Sequence, residues 1–500
     1  MKYVIGVDLG TSAVKLLLVN QEGKVINEVS KPYPLIQERT GYSEQNPELW
    51  VSQTTTGLSE LIHSFHGDER DIEGISFSGQ MHGLVLLDEN YQVVRNAILW
   101  NDTRTTKQCQ EIYEKVGKDR FISITKNLAL EGFTLPKLLW VKENEPENYS
   151  KTKLFLLPKD YLRYRITGKV HMDYSDAAGT SLLDVNAKQW SGEICDLVDI
   201  DRSICPPLVN SSDCVGNITH EFAKKTGLNV ATSVFAGGAD NACGAIGSGI
   251  LSEGKTFCSI GTSGVVLTYE QTGDKDYGGR VHYFNHGKED AYYTMGVTLS
   301  AGHSLSWFKN VFAEKIGFDK LLKGVENVPI GSNGLLFTPY LVGERTPHAD
   351  STVRASFIGI DHSHTLSDFV RSVLEGITFS LNESIVIFRE SGKQIDTIYS
   401  IGGGAKNKHW LQMQADIFNA KVVKLFSEQG HGMGAAMLAA YGCGWFSSLI
   451  ECANVFLEDF EVFEPVKENV EKYKELFQLY KKVYIQTANL NKDLMNFRKS

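Results

Sequence analysis

Asp8 stands at the end of the apolar run Tyr3-Val4-Ile5-Gly6-Val7, directly before Gly10-Thr11-Ser12. Glycine lets a backbone approach an anion closely, and the two hydroxyls add donors. A carboxylate beside such a turn suits hydrated magnesium better than it suits phosphate. Taken alone, the same residue could instead make local turn hydrogen bonds. Lys15, on the β-prone run that follows, is a further phosphate candidate, with a solvated strand-end lysine as the equal alternative. The turn recurs half a chain length later as Gly261-Thr262-Ser263, again between two β-prone runs. Two such hairpins suggest two related domains, each gripping phosphate, across a cleft.

A second carboxylate lies in Ala236-Gly237-Gly238-Ala239-Asp240-Asn241. That segment reads as a strand ending in glycines and a helix opening at Asp240. Asp240 could simply cap the helix, worth about 1 kcal/mol. It could also stay ionised at the helix N-terminus and take the proton of an attacking hydroxyl, the role of a catalytic base in phosphoryl transfer. Gln80, Met81 and His82 sit in a glycine-flanked loop after the run Ile75-Ser76-Phe77, a pattern for small-ligand recognition. Trp100, Asp102 and Arg104 form a second polar, aromatic-edged turn suited to a polyhydroxylated ligand, or to ion pairing at a surface. With Asp240 and Asn241 they make up the expected substrate set. Gly403, Gly404 and Asn407 lie between a β-prone run and a helical one, a usual place for bare backbone to meet a nucleotide. Gly249 to Thr256 matches the letters of a P-loop. That motif needs a strand before it and a helix after it; here the order is reversed, and the match is set aside.

These residues need elements to hold them. Short β-rich runs alternate with helical patterns, which predicts an α/β protein with mixed sheets. Asn46-Pro47-Glu48 opens a helix, one face of which carries Trp50, Thr54, Leu58 and Leu61-Ile62. Val470, Tyr473, Phe477, Tyr480 and Tyr484 recur at helical spacing, predicting a terminal helix packed on the body. Five hundred residues, 42% hydrophobic and 22% charged, leave room for several cored domains. The formal charge of −10 excludes a general nucleic-acid binder. The acid at position 8 interrupts any signal-peptide core, and no apolar run reaches bilayer length, so no membrane association is expected and the location is read as cytoplasmic. Eight cysteines without a C-x-x-C pair read as reduced thiols, with neither a disulfide framework nor a zinc site.

Together the motifs resemble the FGGY family of carbohydrate kinases, from Tyr3 to about Gly442. Two longer patterns carry the likeness: Gly132-x-Thr134-x-x-Lys137-Leu138-x-Trp140, and Ala355-x-Phe357-x-Gly359-Ile360 followed by Asp368-Phe369-x-x-Ser372-Val373-Leu374-Glu375. The resemblance implies two actin-like (ribonuclease H-like) ATPase domains, 1–246 and 247–500, facing a central cleft. It implies ATP and Mg2+, with the metal at Asp8 and phosphate contacts at Gly10, Thr11, Ser12, Gly261, Thr262 and Ser263. It places adenosine near Gly403, Gly404 and Asn407, the sugar at Met81 and His82, and the proton acceptor at Asp240. The Met81-His82 loop is similar to the version that accepts D-xylulose, so ATP-dependent phosphorylation of D-xylulose is expected, with a homodimer as the expected assembly. Another sugar or polyol kinase of the family, or a non-catalytic actin-fold sensor, is the competing reading. One departure is Gln429-Gly430-His431-Gly432, where relatives often carry proline or small apolar residues; it is assigned to the nucleotide end of the cleft.

Overall fold

The computed structural model describes residues 1–426 and 429–499. Strands β1 (Tyr3–Leu9) and β2 (Ala13–Asn20) are buried along nearly their whole length, as expected for a sheet covered on both faces. Strand β3 (Val25–Pro32) alternates exposed positions with half-buried or buried ones and forms the sheet's edge. With β4 (Ile72–Gly79), β5 (Cys214–Asn217), β6 (Ser233–Phe235) and β7 (Gly238–Ala239) they make a seven-stranded sheet ordered β5-β6-β4-β1-β2-β3, with β7 beside the end of β4. The second sheet contains β8 (Gly254–Ile260), β9 (Gly264–Glu270), β10 (His282–Asn285), β11 (Tyr292–Thr298), β12 (Ile395–Gly402), β13 (Lys421–Leu425) and β14 (Asp459–Phe463), ordered β10-β11-β9-β8-β12-β13-β14.

The two sheets repeat one plan. From β3 through β2, β1, β4 and β6 to β5, the pairings run antiparallel, antiparallel, parallel, parallel, antiparallel. From β11 through β9, β8, β12 and β13 to β14 the sequence of directions is the same. The two Gly-Thr-Ser turns are the β1–β2 and β8–β9 connections. Each sits at the same end of its sheet, because β1 and β8 are the strands where antiparallel pairing gives way to parallel. The rejected P-loop match fits this plan: a helix precedes it and β8 follows.

Eight helices position the site: α1 (Pro47–His63), α2 (Thr134–Asn144), α3 (Pro158–Thr167), α4 (Asp240–Gly247), α5 (Leu366–Glu390), α6 (Lys408–Phe418), α7 (Gly430–Gly442) and α8 (Lys467–Lys499). Asn46 caps α1 by accepting from Glu48 N, and Trp50, Thr54, Leu58 and Leu61 pack that helix on one face of the first sheet. Helix α7 covers the opposite face, although it comes from the far end of the chain. It has no polar side, as a helix enclosed all round requires. Helix α8 buries Val470, Tyr473, Phe477 and Tyr480, while Tyr484 stacks on His348 with ring centroids 3.6 Å apart. Among the described residues no helix is long and apolar enough to cross a membrane, and all eight cysteines are free.

Backbone touches backbone where α7 crosses its neighbours. A Cβ on Gly434 would lie 1.8 Å from the Cys243 carbonyl oxygen in α4, and one on Gly247 would lie 2.0 Å from the Gly430 carbonyl oxygen. A Cβ on Gly6 in β1 would meet the Gly432 carbonyl oxygen at 2.1 Å. Gly434→Ala should therefore destabilise the protein by about 2 kcal/mol or more, by overpacking. Gly317→Ala, where the added atom meets nothing within 4 Å, should change little. Thermal denaturation of the two variants checks the contrast, and equal melting shifts would contradict it.

Candidate active site

The first turn is built to present N–H groups outward. Tyr33 Oη donates to the Gly10 carbonyl at 2.5 Å, Gln45 Nε2 to the Thr11 carbonyl at 2.7 Å, and Tyr33 N to the Ser12 carbonyl at 3.0 Å. The N–H groups of Thr11 and Ser12 make no hydrogen bond among the described residues. Three carbonyls pinned back and two free amides form an anion nest. Trp100 stands half in solvent above it, with Nε1 donating to Thr11 Oγ1 at 2.9 Å. The second turn is anchored the same way: Ala301 N and His303 N donate to the Thr262 carbonyl, and Gly302 N to that of Gly261. Gly261, Thr262 and Ser263 are exposed.

Asp8 ends β1 beside the first turn. Its carboxylate takes no hydrogen bond among the described residues; the His431 imidazole lies beside it, with Nδ1 3.9 Å from Asp8 Oδ2. A partly exposed, unengaged carboxylate next to two hydroxyls offers the hard oxygen donors that magnesium prefers. His431 corrects one expectation. The segment 429–432 does not lie at the nucleotide end: Gly430 opens α7 against α4, which brings the imidazole to Asp8.

Asp240 faces the same space from the start of α4. The helix begins at Asp240 itself with Ala239 as its N-cap, so the carboxylate is not spent on capping. Its Oδ1 accepts from Asn241 N at 2.7 Å and Asn241 Nδ2 at 3.0 Å, while Oδ2 takes no hydrogen bond among the described residues. Burial pushes the carboxyl up; the His431 imidazole and the Asn241 N–H pull it down and Asp8 pushes it further, leaving it at about 6. Beneath it lies a charged cluster absent from the sequence reading. Lys159 Nζ is 2.5 Å from Asp160, 2.9 Å from Asp173 and 3.2 Å from Asp176, and Arg163 is 2.9 Å from Asp160, all fully buried. Burial alone would lower Lys159, but the three aspartates outweigh it and hold its pKa above the ordinary value. Burial pushes Asp176 well up, against the pull of Lys159. The lysine ammonium fills the centre that these acids could otherwise offer to a metal ion. Asp173 Oδ2 accepts from Ser175 and Ser211, and Ser175 Oγ accepts from Ala239 N at 2.9 Å. The cluster therefore fixes the peptide that carries Asp240.

The loop after β4 brings Met81 and His82 to this carboxylate. Met81 Sδ accepts from Asn241 Nδ2 at 3.6 Å and Tyr293 Oη at 3.9 Å. His82 has φ +67°, a left-handed conformation that costs about 1 kcal/mol for a residue with a Cβ. Four contacts hold it there. Its Nδ1 donates to the Gly179 carbonyl at 2.6 Å, Phe133 packs on the ring at 4.2 Å, and its own carbonyl accepts from Thr134 Oγ1 and Lys137 Nζ, each at 3.0 Å. Burial pushes the imidazole well below its ordinary value. A neutral ring donating through Nδ1 keeps Nε2 as an acceptor for a ligand hydroxyl. The Gly132-x-Thr134-x-x-Lys137 pattern is thereby explained: two of its side chains set the His82 backbone. The second long pattern is structural. Asp368 completes the capping box of α5, and Glu375 accepts from Gly331 N and Ser332 Oγ.

At the other end, Gly261, Thr262, Gly403, Gly404 and Asn407 line one cavity of about 590 Å³ with Leu305 and Phe318. Asn407 Oδ1 also caps α6 through Trp410 N. Ser263 stands outside that lining.

Four expected contacts are corrected. Asp102 is fully buried, accepting from Ser43 N and paired with Arg104 at 2.6 Å. Arg104 is equally enclosed, between the Tyr42 and Trp140 rings and against Glu44. The pair braces the wall behind Trp100. Gln80 is buried, donating to Gln45, the residue that holds Thr11. Lys15 is engaged by Gln429 at 2.5 Å and Glu28 at 3.4 Å. Removing Lys137 tests the wall's role: Lys137→Met should raise KM for the expected sugar about 10-fold, the usual cost of losing a buried hydrogen-bond donor, and leave KM for the expected nucleotide unchanged. Equal effects on both constants would contradict it.

Residues 3–247 match the N-terminal domain of the FGGY family of carbohydrate kinases, and residues 256–443 match its C-terminal domain. Xylulose kinase of Bacillus subtilis (strain 168) is 63% identical over 500 residues, covering all of both chains. Two solved structures superpose with a TM-score of 0.93 at 28% identity: ligand-bound xylulose kinase from Lactobacillus acidophilus, covering 98% of this chain and 99% of that one, and gluconate kinase from the same organism, covering 97% and 98%. The repeated sheet, its two Gly-Thr-Ser turns and these matches agree: the chain belongs to the FGGY family of carbohydrate kinases.

Proposed function

We propose that the chain transfers the γ-phosphoryl group of ATP to the primary hydroxyl of D-xylulose, giving D-xylulose 5-phosphate and ADP. The observation that carries this reading is Asp240, with one carboxylate oxygen unengaged, between the neutral His82 loop and a turn whose amides are free. Full-length identity to a xylulose kinase supports the sugar. The superposition alone does not choose it, since a gluconate kinase fits equally well.

The sugar hydroxyl attacks the γ-phosphorus in line. Asp240 Oδ2 accepts the hydroxyl proton as the new O–P bond forms, the bond to the β-phosphate oxygen breaks, and ADP leaves. Thr11 and Ser12 N–H groups meet the transferred phosphoryl, and Gly261, Thr262 and Ser263 meet the remaining phosphates. Gly403, Gly404 and Asn407 border the adenosine. Met81, His82 and Asn241 surround the sugar, and Trp100 closes its edge. Mg2+ held near Asp8 would neutralise charge on the phosphates. Domains 1–246 and 247–500, a cytoplasmic location and a homodimer belong to the same reading.

A coupled ADP-release assay across ketoses and polyols, with the phosphorylated product identified, tests the substrate. Turnover on D-xylulose is expected; turnover confined to glycerol or gluconate would overturn it. Asp240→Asn should lower kcat by roughly 10²–10⁴ while ATP still binds. The base must be ionised, and its pKa is about 6. In the wild type kcat/KM should therefore fall about tenfold per pH unit below 6 and level off above it. A flat profile between pH 5 and 7, as an estimate of the useful window, would remove Asp240 from that role.

A further inference from the structure

His431 occupies a place that its neighbours make rigid. It is the second residue of α7, the helix pressed backbone to backbone against β1 and α4. Its ring lies on Gly244, where a Cβ would come within 2.7 Å of Cδ2 and 3.0 Å of Nε2. Only glycine at position 244 leaves this space, so the ring is wedged with Nδ1 directed to Asp8. The residue before α7 is tethered too: Gln429 bonds Lys15 at 2.5 Å and Glu28 at 3.0 Å, both on the β2–β3 edge of the first sheet.

The 3.9 Å between His431 Nδ1 and Asp8 Oδ2 is too long for a hydrogen bond. It does fit two atoms bound to one ion. Metal–ligand bonds of about 2.1 Å separate neighbouring ligands by about 3 Å and opposite ones by about 4.2 Å. The Asp8 carboxylate is otherwise unengaged among the described residues, the imidazole nitrogen faces it, and both side chains are partly exposed (21% and 41%). We infer that His431 Nδ1 is a nitrogen ligand to the divalent cation carried with the nucleotide phosphates, completing with Asp8 a mixed nitrogen–oxygen site. The inference rests on the cleft being the ATP–metal site. Imidazole favours first-row transition metals, whereas oxygen-only sets suit magnesium. This chain should accordingly bind Mn2+ and Co2+ more tightly, relative to Mg2+, than an oxygen-only site would.

Pulsed electron paramagnetic resonance of Mn2+–ADP bound to the full chain reads the ligand without turnover. Protein grown with 15N-histidine is compared with unlabelled protein, which separates imidazole from nucleotide nitrogens. The expected result is nitrogen coupling that changes with the label and vanishes in His431→Gln and in His431→Ala, with Mn2+ affinity about 10-fold weaker in both. Mn2+–ADP bound without label-dependent coupling overturns the inference, as does coupling that survives either substitution. If neither variant folds, loss of the label-dependent signal on adding excess Mg2+ supports displacement from the same site, and its persistence overturns it. None of these outcomes alters the product assay, so a failure here is distinct from a failure of the substrate reading.

Discussion

The contact on which the site depends is the meeting of bare backbones around α7. A single carbon added to Gly6, Gly247 or Gly434 would strike a carbonyl oxygen of a neighbouring element, and Gly432 supplies one of those oxygens. Interiors are close-packed and transmit strain, so elements in such contact hold a narrow set of separations. The strand that ends in Asp8, the helix that opens at Asp240 and the helix that carries His431 are thereby held as one unit. Side chains of ordinary size would push the three groups apart, because no rotamer can relieve a clash between backbones.

A second layer sets orientation. Lys159 and its aspartates lie fully enclosed below the first sheet's open end and reach the Asp240 peptide through Ser175 and the Ala239 amide. Breaking a buried ion pair leaves an uncompensated charge, so such a cluster tolerates little rearrangement. On the other side of the loop Lys137, buried and depressed well below the ordinary lysine value by desolvation, serves as a hydrogen-bond donor to two carbonyls. Buried polar groups thus fix the His82 backbone and the Asp240 peptide.

Much of this was legible in the letters, and the reasons differ from residue to residue. The Gly-Thr-Ser turns could be read because glycine and hydroxyl residues between two β-prone runs leave little choice of local structure, and the pairing of the sheets repeats around them. Asp240 and His82 stood out because glycines flank them. Asp102 and Arg104 looked like ligand contacts because their partners Ser43, Glu44, Tyr42 and Trp140 are distant in sequence; only the folded chain encloses them. The Lys159 cluster was hidden for the same reason, since the four charges in Pro158–Thr167 resemble a solvated helix face. His431 was noticed as a departure but assigned to the wrong end, because nothing local shows that α7 leaves the second half of the chain to cover the first sheet.

The pinned carbonyls of the Gly10-Thr11-Ser12 turn have an energetic meaning beyond geometry. In water, dipoles must reorient around a phosphoryl group as its charge spreads, and that reorganisation is part of the barrier. In the reaction proposed above, Tyr33 and Gln45 align the peptide dipoles when the protein folds, before any nucleotide arrives. The solvent's work is therefore done in advance, and it lies in the folding free energy rather than in the turnover. Loosening Tyr33 or Gln45, neither of which need touch a substrate, would return that work to the reaction itself.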